Sequence, residues 1–143
     1  MTMSMCKAEN HPCLNCEQSD MELRTKDVTI ELDGLSRVVP GVKGWHCPAC
    51  GDIEFVGNGS AKRYAAALDA LAAERDARQR DELARIRKRL KLTQAQAAAI
   101  ADGGPNAFSR YERGKARPVA AVVNLFRLLD KHPELLAELR SAG

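Results

Sequence analysis

The spacing of apolar residues changes period near the middle of the chain. Val28, Ile30 and Leu32 alternate with Thr29 and Glu31, which is the period of two expected of a half-buried strand, and Asp33-Gly34 then marks a turn. Leu35 to Val39 reads as the returning strand, broken by Pro40-Gly41; Trp45 and the apolar run Ile53 to Val56 flank Cys47 to Cys50 and are expected to cover a metal held by those cysteines. After Gly57-Asn58-Gly59, Ser60 is placed to cap a helix running from Ala61 to about Gln79, with Tyr64, Leu68 and Leu71 at helical spacing. Beyond Asp81 every pattern is helical. Leu83, Ile86 and Leu90 form one stripe, and Thr93 caps a helix whose inner face is Ala97, Ala98 and Ile100. Pro105 takes the first position of a short helix from Asn106 to about Glu112, ended by Gly114. Val122, Leu125, Phe126, Leu128 and Leu129 mark a strongly apolar helix, and a last short helix starts at Pro133.

These patterns predict an α+β protein. A small β module over residues 1–59, including an N-terminal extension, is joined by a connecting helix over 60–80 to an all-α, five-helix domain over 81–143. Whether the connecting helix breaks near its charged stretch from Glu74 to Glu82 is not legible, because no Gly or Pro intervenes. No stretch approaches the ~18 apolar residues of a membrane span, so no membrane partner is expected. Met1 to Glu9 has no apolar core of the kind a signal peptide carries.

Charge divides along the same line. Residues 1–60 hold 5 Lys and Arg against 9 Asp and Glu, a net −4, whereas residues 61–143 hold 17 against 10, a net +7. The two halves therefore suit different partners, and a basic helical half suits nucleic acid.

The β half also carries the clearest chemistry. Cys13-Leu14-Asn15-Cys16 and Cys47-Pro48-Ala49-Cys50 are two Cys-x-x-Cys turns, each able to aim two thiolates at one ion at ~2.3 Å, and together they supply a tetrahedral zinc site. A module of about 55 residues buries too little apolar surface to be secure alone, which is where a structural metal helps. Disulfides and a thioredoxin-like redox pair are the competing readings of the same cysteines. His11 and His46 stand near the turns, but four thiolates already fill the shell. Cys6 reads as a spare thiol. With all four zinc positions thiolate there is no open coordination site, and no acid, base or nucleophile cluster accompanies them, so no enzyme is expected.

In the helical half, Asn106, Ser109, Arg110 and Arg113 surround Phe108 and Tyr111, placing polar groups able to read bases on the outer face of a short helix. Leu92-Thr93-Gln94 followed by Ser109-Arg110-Tyr111-Glu112-Arg113-Gly114 resembles the repressor-type helix-turn-helix. The longer string from Gly103 to Gly114, with Leu128 to Leu136 behind it and a two-knuckle zinc module in front, resembles the MqsA-type antitoxins, over roughly residues 13 to 140.

That resemblance implies a bacterial, cytoplasmic, two-domain antitoxin. Its zinc domain would neutralise a cognate ribonuclease toxin. Its helix-turn-helix domain would form a homodimer through the C-terminal half and repress its own operon on double-stranded operator DNA. It further implies that Asn106 and Arg110 contact bases, in keeping with Asn pairing to adenine and Arg to guanine in the major groove. Gln94, Ser109, Arg113 and Lys115 are then expected to hold phosphates. The alternative is a stand-alone zinc-containing transcriptional regulator that senses metal or oxidant through its thiolates.

Overall fold

The computed structural model describes residues 10–141; Cys6, with the rest of residues 1–9, lies outside them. The chain divides into two compact units, one ending at Ala72 and the other beginning at Ala73.

The first unit is a three-stranded antiparallel sheet. Strands β1 (Glu22–Leu32) and β2 (Leu35–His46) form a hairpin, and β3 (Ile53–Phe55) adds to the far side of β2. The hairpin turns at Asp33-Gly34, as the sequence predicts, with both residues at positive φ. The expected break at Pro40-Gly41 does not occur. Val28 pairs with Val39 and Lys26 with Val42, so Asp27 alone faces both Pro40 and Gly41 in a β-bulge and β2 continues to His46. The bulge tolerates the missing Pro40 N–H, and Gly41 takes the positive φ of 59° that it requires. The Asp27 carboxylate accepts the Gly41 N–H at 3.0 Å, and the Arg63 guanidinium donates to the Pro40 and Gly41 carbonyls.

Helix α1 (Ser60–Arg89) runs unbroken for 30 residues. Its first turns belong to the first unit: Leu71, with Tyr64 and Ala67, packs on Ile30, Leu35, Val39 and Val42. Ser60 is buried and its hydroxyl accepts the Lys43 N–H at 2.9 Å and donates to Asn58, so it ties the helix start to β2. Ile53 and Phe55 join this same core, while Trp45 packs on the cysteines. The expectation that Ile53 to Val56 covers the cysteines thus holds only for neighbouring Trp45. Alternation along β2 and β3 sends these side chains to opposite faces.

In the second unit, Leu83 and Ile86 of α1 enter a core with helices α2 (Gln94–Ile100), α3 (Ala107–Glu112), α4 (Ala120–Lys131) and α5 (Leu136–Ser141), the last preceded by a 3-10 turn over Pro133–Leu135. Phe108 and Phe126 are fully buried at its centre, their rings 4.8 Å apart. Thr93 caps α2 with a capping box: its hydroxyl accepts the Gln96 N–H and the Gln96 side chain accepts the Thr93 N–H. Ala97 and Ala98 are buried, as their pattern predicts. Pro105 differs from expectation. It lies two residues ahead of α3, in a turn closed by the Ala107 N–H to the Gly104 carbonyl, with Asn106 as the residue preceding the helix. Proline at the second position and φ −100°, ψ 0° at the third are the marks of a type I turn.

Candidate metal centre and nucleic-acid face

The first Cys-x-x-Cys turn is held by the Cys13 N–H to the Ser19 carbonyl at 3.0 Å and the Met21 N–H to the His11 carbonyl at 2.7 Å. The second leaves the end of β2, where the Cys47 N–H donates to the Asp52 carbonyl and the Gly51 N–H returns to the Cys47 carbonyl. The hairpin between them brings the turns together. All four sulfurs lie within 4.8 Å of one another, with Cys13 Sγ 3.7 Å from Cys50 Sγ and Cys16 Sγ 3.6 Å from Cys47 Sγ. None is bonded to another, against the disulfide reading. A tetrahedron with ~2.3 Å metal–sulfur bonds has edges of ~3.8 Å, so the observed spacings match a four-cysteine metal site.

The electrostatics agree. The backbone N–H of Cys50 is the largest influence on Cys47 and lowers its thiol to about 7, outweighing burial. Cys16 goes the other way, to about 11: the backbone N–H of Gln18 favours its thiolate, but burial and the neighbouring sulfurs of Cys47, Cys50 and Cys13 together overcome that. Crowded thiolates repel one another until a cation neutralises them, and the four cysteines could hold a metal ion in that way.

Neither nearby histidine is a ligand in this arrangement. His46 is buried with Nε2 3.1 Å from the Val42 carbonyl. His11 stacks on Trp45 with ring centroids 4.2 Å apart and reaches Glu54 at 2.7 Å, tying the first turn to β3. This clasp, and the Asn15 amide 3.6 Å from Cys50 Sγ, carry no sequence signal, because each joins residues more than 30 apart.

In the second unit, the outer surface around α3 presents Asn106 and Arg110. Both are exposed, both line one shallow concavity with Gly104, Pro105 and Arg117, and they stand four residues apart, about one helical turn. The Asn106 side chain makes no capping bond to the helix, and Arg110 forms no ion pair among the described residues. Ser109 is half-buried, Arg113 is exposed with its Nε 3.2 Å from the Ser109 carbonyl, and Lys115 is exposed in the turn that ends the helix.

Gln94 has another engagement. Its amide donates to Glu112, which also accepts from Arg87 Nε at 2.7 Å, while Arg87 Nη1 donates to the Leu92 carbonyl at 2.9 Å. Arg87 and Glu112 retain only 13% and 12% exposure, so this is a nearly buried ion pair that fixes α3 against α1 and the start of α2. Sequence reasoning assigns Gln94 to phosphate; the structure commits its amide to Glu112. The apolar helix α4 likewise has a use inside the unit, since Val122, Phe126 and Leu129 are buried in the core and Leu125 packs against it.

Comparison with known proteins covers nearly all of the described residues. Residues 11–140 match a family described as the antitoxin component of a bacterial toxin-antitoxin system, MqsA. The chain is 37% identical over 130 residues to the antitoxin MqsA of Escherichia coli strain K12, an overlap of 90% of this chain and 98% of that protein.

Proposed function

The chain belongs to the MqsA antitoxin family, and from that premise we propose that its two units divide the work of a toxin-antitoxin pair. The first unit, held by a zinc ion on Cys13, Cys16, Cys47 and Cys50, binds and neutralises a cognate ribonuclease. The second is a helix-turn-helix domain that forms a homodimer and represses the antitoxin's own operon in the bacterial cytoplasm.

The observation that carries the DNA half is the exposed pair Asn106 and Arg110, at the start of and on a helix whose other side is locked by the Arg87–Glu112–Gln94 network, with no capping bond on Asn106 and no ion pair on Arg110 among the described residues. A pre-positioned helix with free amide and guanidinium groups can meet base edges without losing existing bonds. Ser109, Arg113 and Lys115 flank it as phosphate contacts, and Gln94 orients α3 through Glu112. Zinc has a structural role: with four thiolate ligands it closes the shell and fixes the two turns. Charge supports the partition. Residues up to 72 carry a net −3 and those from 73 onward a net +6, so an acidic unit faces a basic enzyme and a basic unit faces DNA.

A crossed experiment tests the division. The adjacent gene's product is co-expressed with wild-type protein, Arg110→Ala or Cys47→Ser, and growth and operator binding are both scored. Arg110→Ala should protect cells while losing operator preference, at a cost of ~1–3 kcal/mol. Cys47→Ser should lose protection. If either variant abolishes both activities while its other unit remains folded, the division of labour is wrong.

A further inference from the structure

Beside the Asn106–Arg110 concavity lies a second one of about 190 Å³, lined by Asp76, Gln79, Arg80, Lys115 and Arg117 among others. The two share Tyr111, Ala116 and Arg117 in their linings and so adjoin. Three of the groups around the second hollow are cationic and one, Asp76, is acidic. Asp76 is already engaged by Arg75 at 2.8 Å and by Arg117 at 3.3 Å. Arg80 has no carboxylate partner among the described residues.

The backbone makes room for Arg80. Helix α3 ends in a Schellman turn: the Lys115 N–H reaches the Arg110 carbonyl at 2.8 Å and the Gly114 N–H reaches the Tyr111 carbonyl at 3.0 Å, with Gly114 at φ 71°. A Cβ on Gly114 would come within 2.6 Å of Arg80 Nη1. Glycine there serves the left-handed turn, and the Arg80 guanidinium lies directly over it. The same turn presents Lys115 to the hollow from its other side.

We propose that Arg80, Lys115 and Arg117 form a cradle for one backbone phosphate of the duplex whose bases Asn106 and Arg110 read. This rests on the DNA-binding reading above and extends it, because Arg80 lies on α1, outside α2 and α3. Three cationic groups around the hollow suit a single anionic group, and the lining shared with the Asn106–Arg110 concavity places that group next to the base-reading side chains. A guanidinium with no internal partner binds phosphate without first breaking an ion pair.

The test measures binding of the full-length protein to operator and scrambled duplexes over ~50 to ~200 mM salt. The variants are Arg80→Gln, Arg80→Lys, Arg117→Gln and, as a control for charge loss outside the hollow, Arg78→Gln. Loss of one phosphate contact flattens the slope of log affinity against log salt by ~0.9, so the deficit of Arg80→Gln should shrink about threefold across that range. It should be equal on both duplexes, Arg80→Lys should recover much of it, Arg117→Gln should reproduce it, and Arg78→Gln should leave the slope unchanged. Thermal melts confirm that each variant is folded. An unchanged slope in folded Arg80→Gln overturns the cradle. So does a slope change matched by Arg78→Gln, or stabilisation of the wild type by millimolar inorganic phosphate that requires Arg80 while the DNA slope does not. Absence of operator preference in the wild type would instead defeat the DNA-reading proposal, and the scrambled duplex would still report on the cradle, since a phosphate contact is blind to sequence.

Discussion

The two units solve the same stability problem with different materials. The second buries a dozen apolar side chains, Phe108 and Phe126 at their centre. The first has one small cluster centred on Ile30, Leu35, Val39, Val42 and Leu71, and a separate one of Met21 with Cys13 and Cys47. The comparison teaches where each fold is vulnerable. One depends on area removed from water; the other has less of it and gathers four sulfurs that could hold a metal ion.

The largest way to break that contrast is to remove the metal. In Cys47→Ser, or under a strong chelator, the first unit should lose its structure, since metal binding in such modules supplies on the order of 10 kcal/mol that is also folding free energy. The second unit should keep its helicity. Elemental analysis together with hydrogen exchange resolved by segment reads both halves, and protection lost equally across the chain would remove the distinction.

Phe126→Ala is the reciprocal case. Phe126 is fully buried against Phe108, and truncation should cost about 3–5 kcal/mol of the second unit's stability while metal content stays at one ion per chain. Denaturant melts followed by helicity, with metal release recorded in parallel, show whether the units fail separately.

Polar anchoring comes next. Glu112→Ala leaves Arg87 nearly buried without its carboxylate and frees the Gln94 amide, which should cost about 3 kcal/mol. Because Gln94 is released toward solvent, the substitution also asks whether α3 needs that brace: operator preference should weaken even in conditions where the domain remains folded. A variant that binds the operator as well as wild type would show the brace to be dispensable for reading.

The smallest effect concerns a single cap. Thr93→Ala removes the hydroxyl that accepts the Gln96 N–H and should lower the second unit's stability by ~1 kcal/mol, visible as a shift in its melting transition alone. A shift of the first unit's transition by the same amount would mean that the two are not energetically separate.

Much of this molecule is legible along the chain. The cysteine turns, the Asp33-Gly34 hairpin, the Thr93 cap and the buried alanines of α2 all stand where the residue pattern puts them. The departures have identifiable causes. Pro40-Gly41 reads as a break because proline lacks a donor, but a bulge opposite Asp27 needs no donor there. The strongly apolar pattern of α4 does not tell which residues face its own core, where Val122, Phe126 and Leu129 are buried. The large apolar side chains left exposed in that unit include Val119, Leu128, Leu135 and Leu139. No pattern of neighbours reveals that Glu112, 18 residues on, takes the Gln94 amide.

What the sequence determines by itself are the features whose physics closes within a few residues. Two thiolates in a four-residue turn converge on an ion wherever that turn sits, and a threonine three residues ahead of a glutamine caps a helix regardless of its surroundings. What only the tertiary structure decides is how polar side chains are paired. Glu112 meets Arg87 and Gln94, His11 meets Trp45 and Glu54, and Arg80 lies over Gly114. A long side chain reaches many candidates in sequence, and packing leaves it one. That Asn106 makes no capping bond and that Arg110 and Arg80 have no carboxylate partner among the described residues is therefore known only once every other contact has formed.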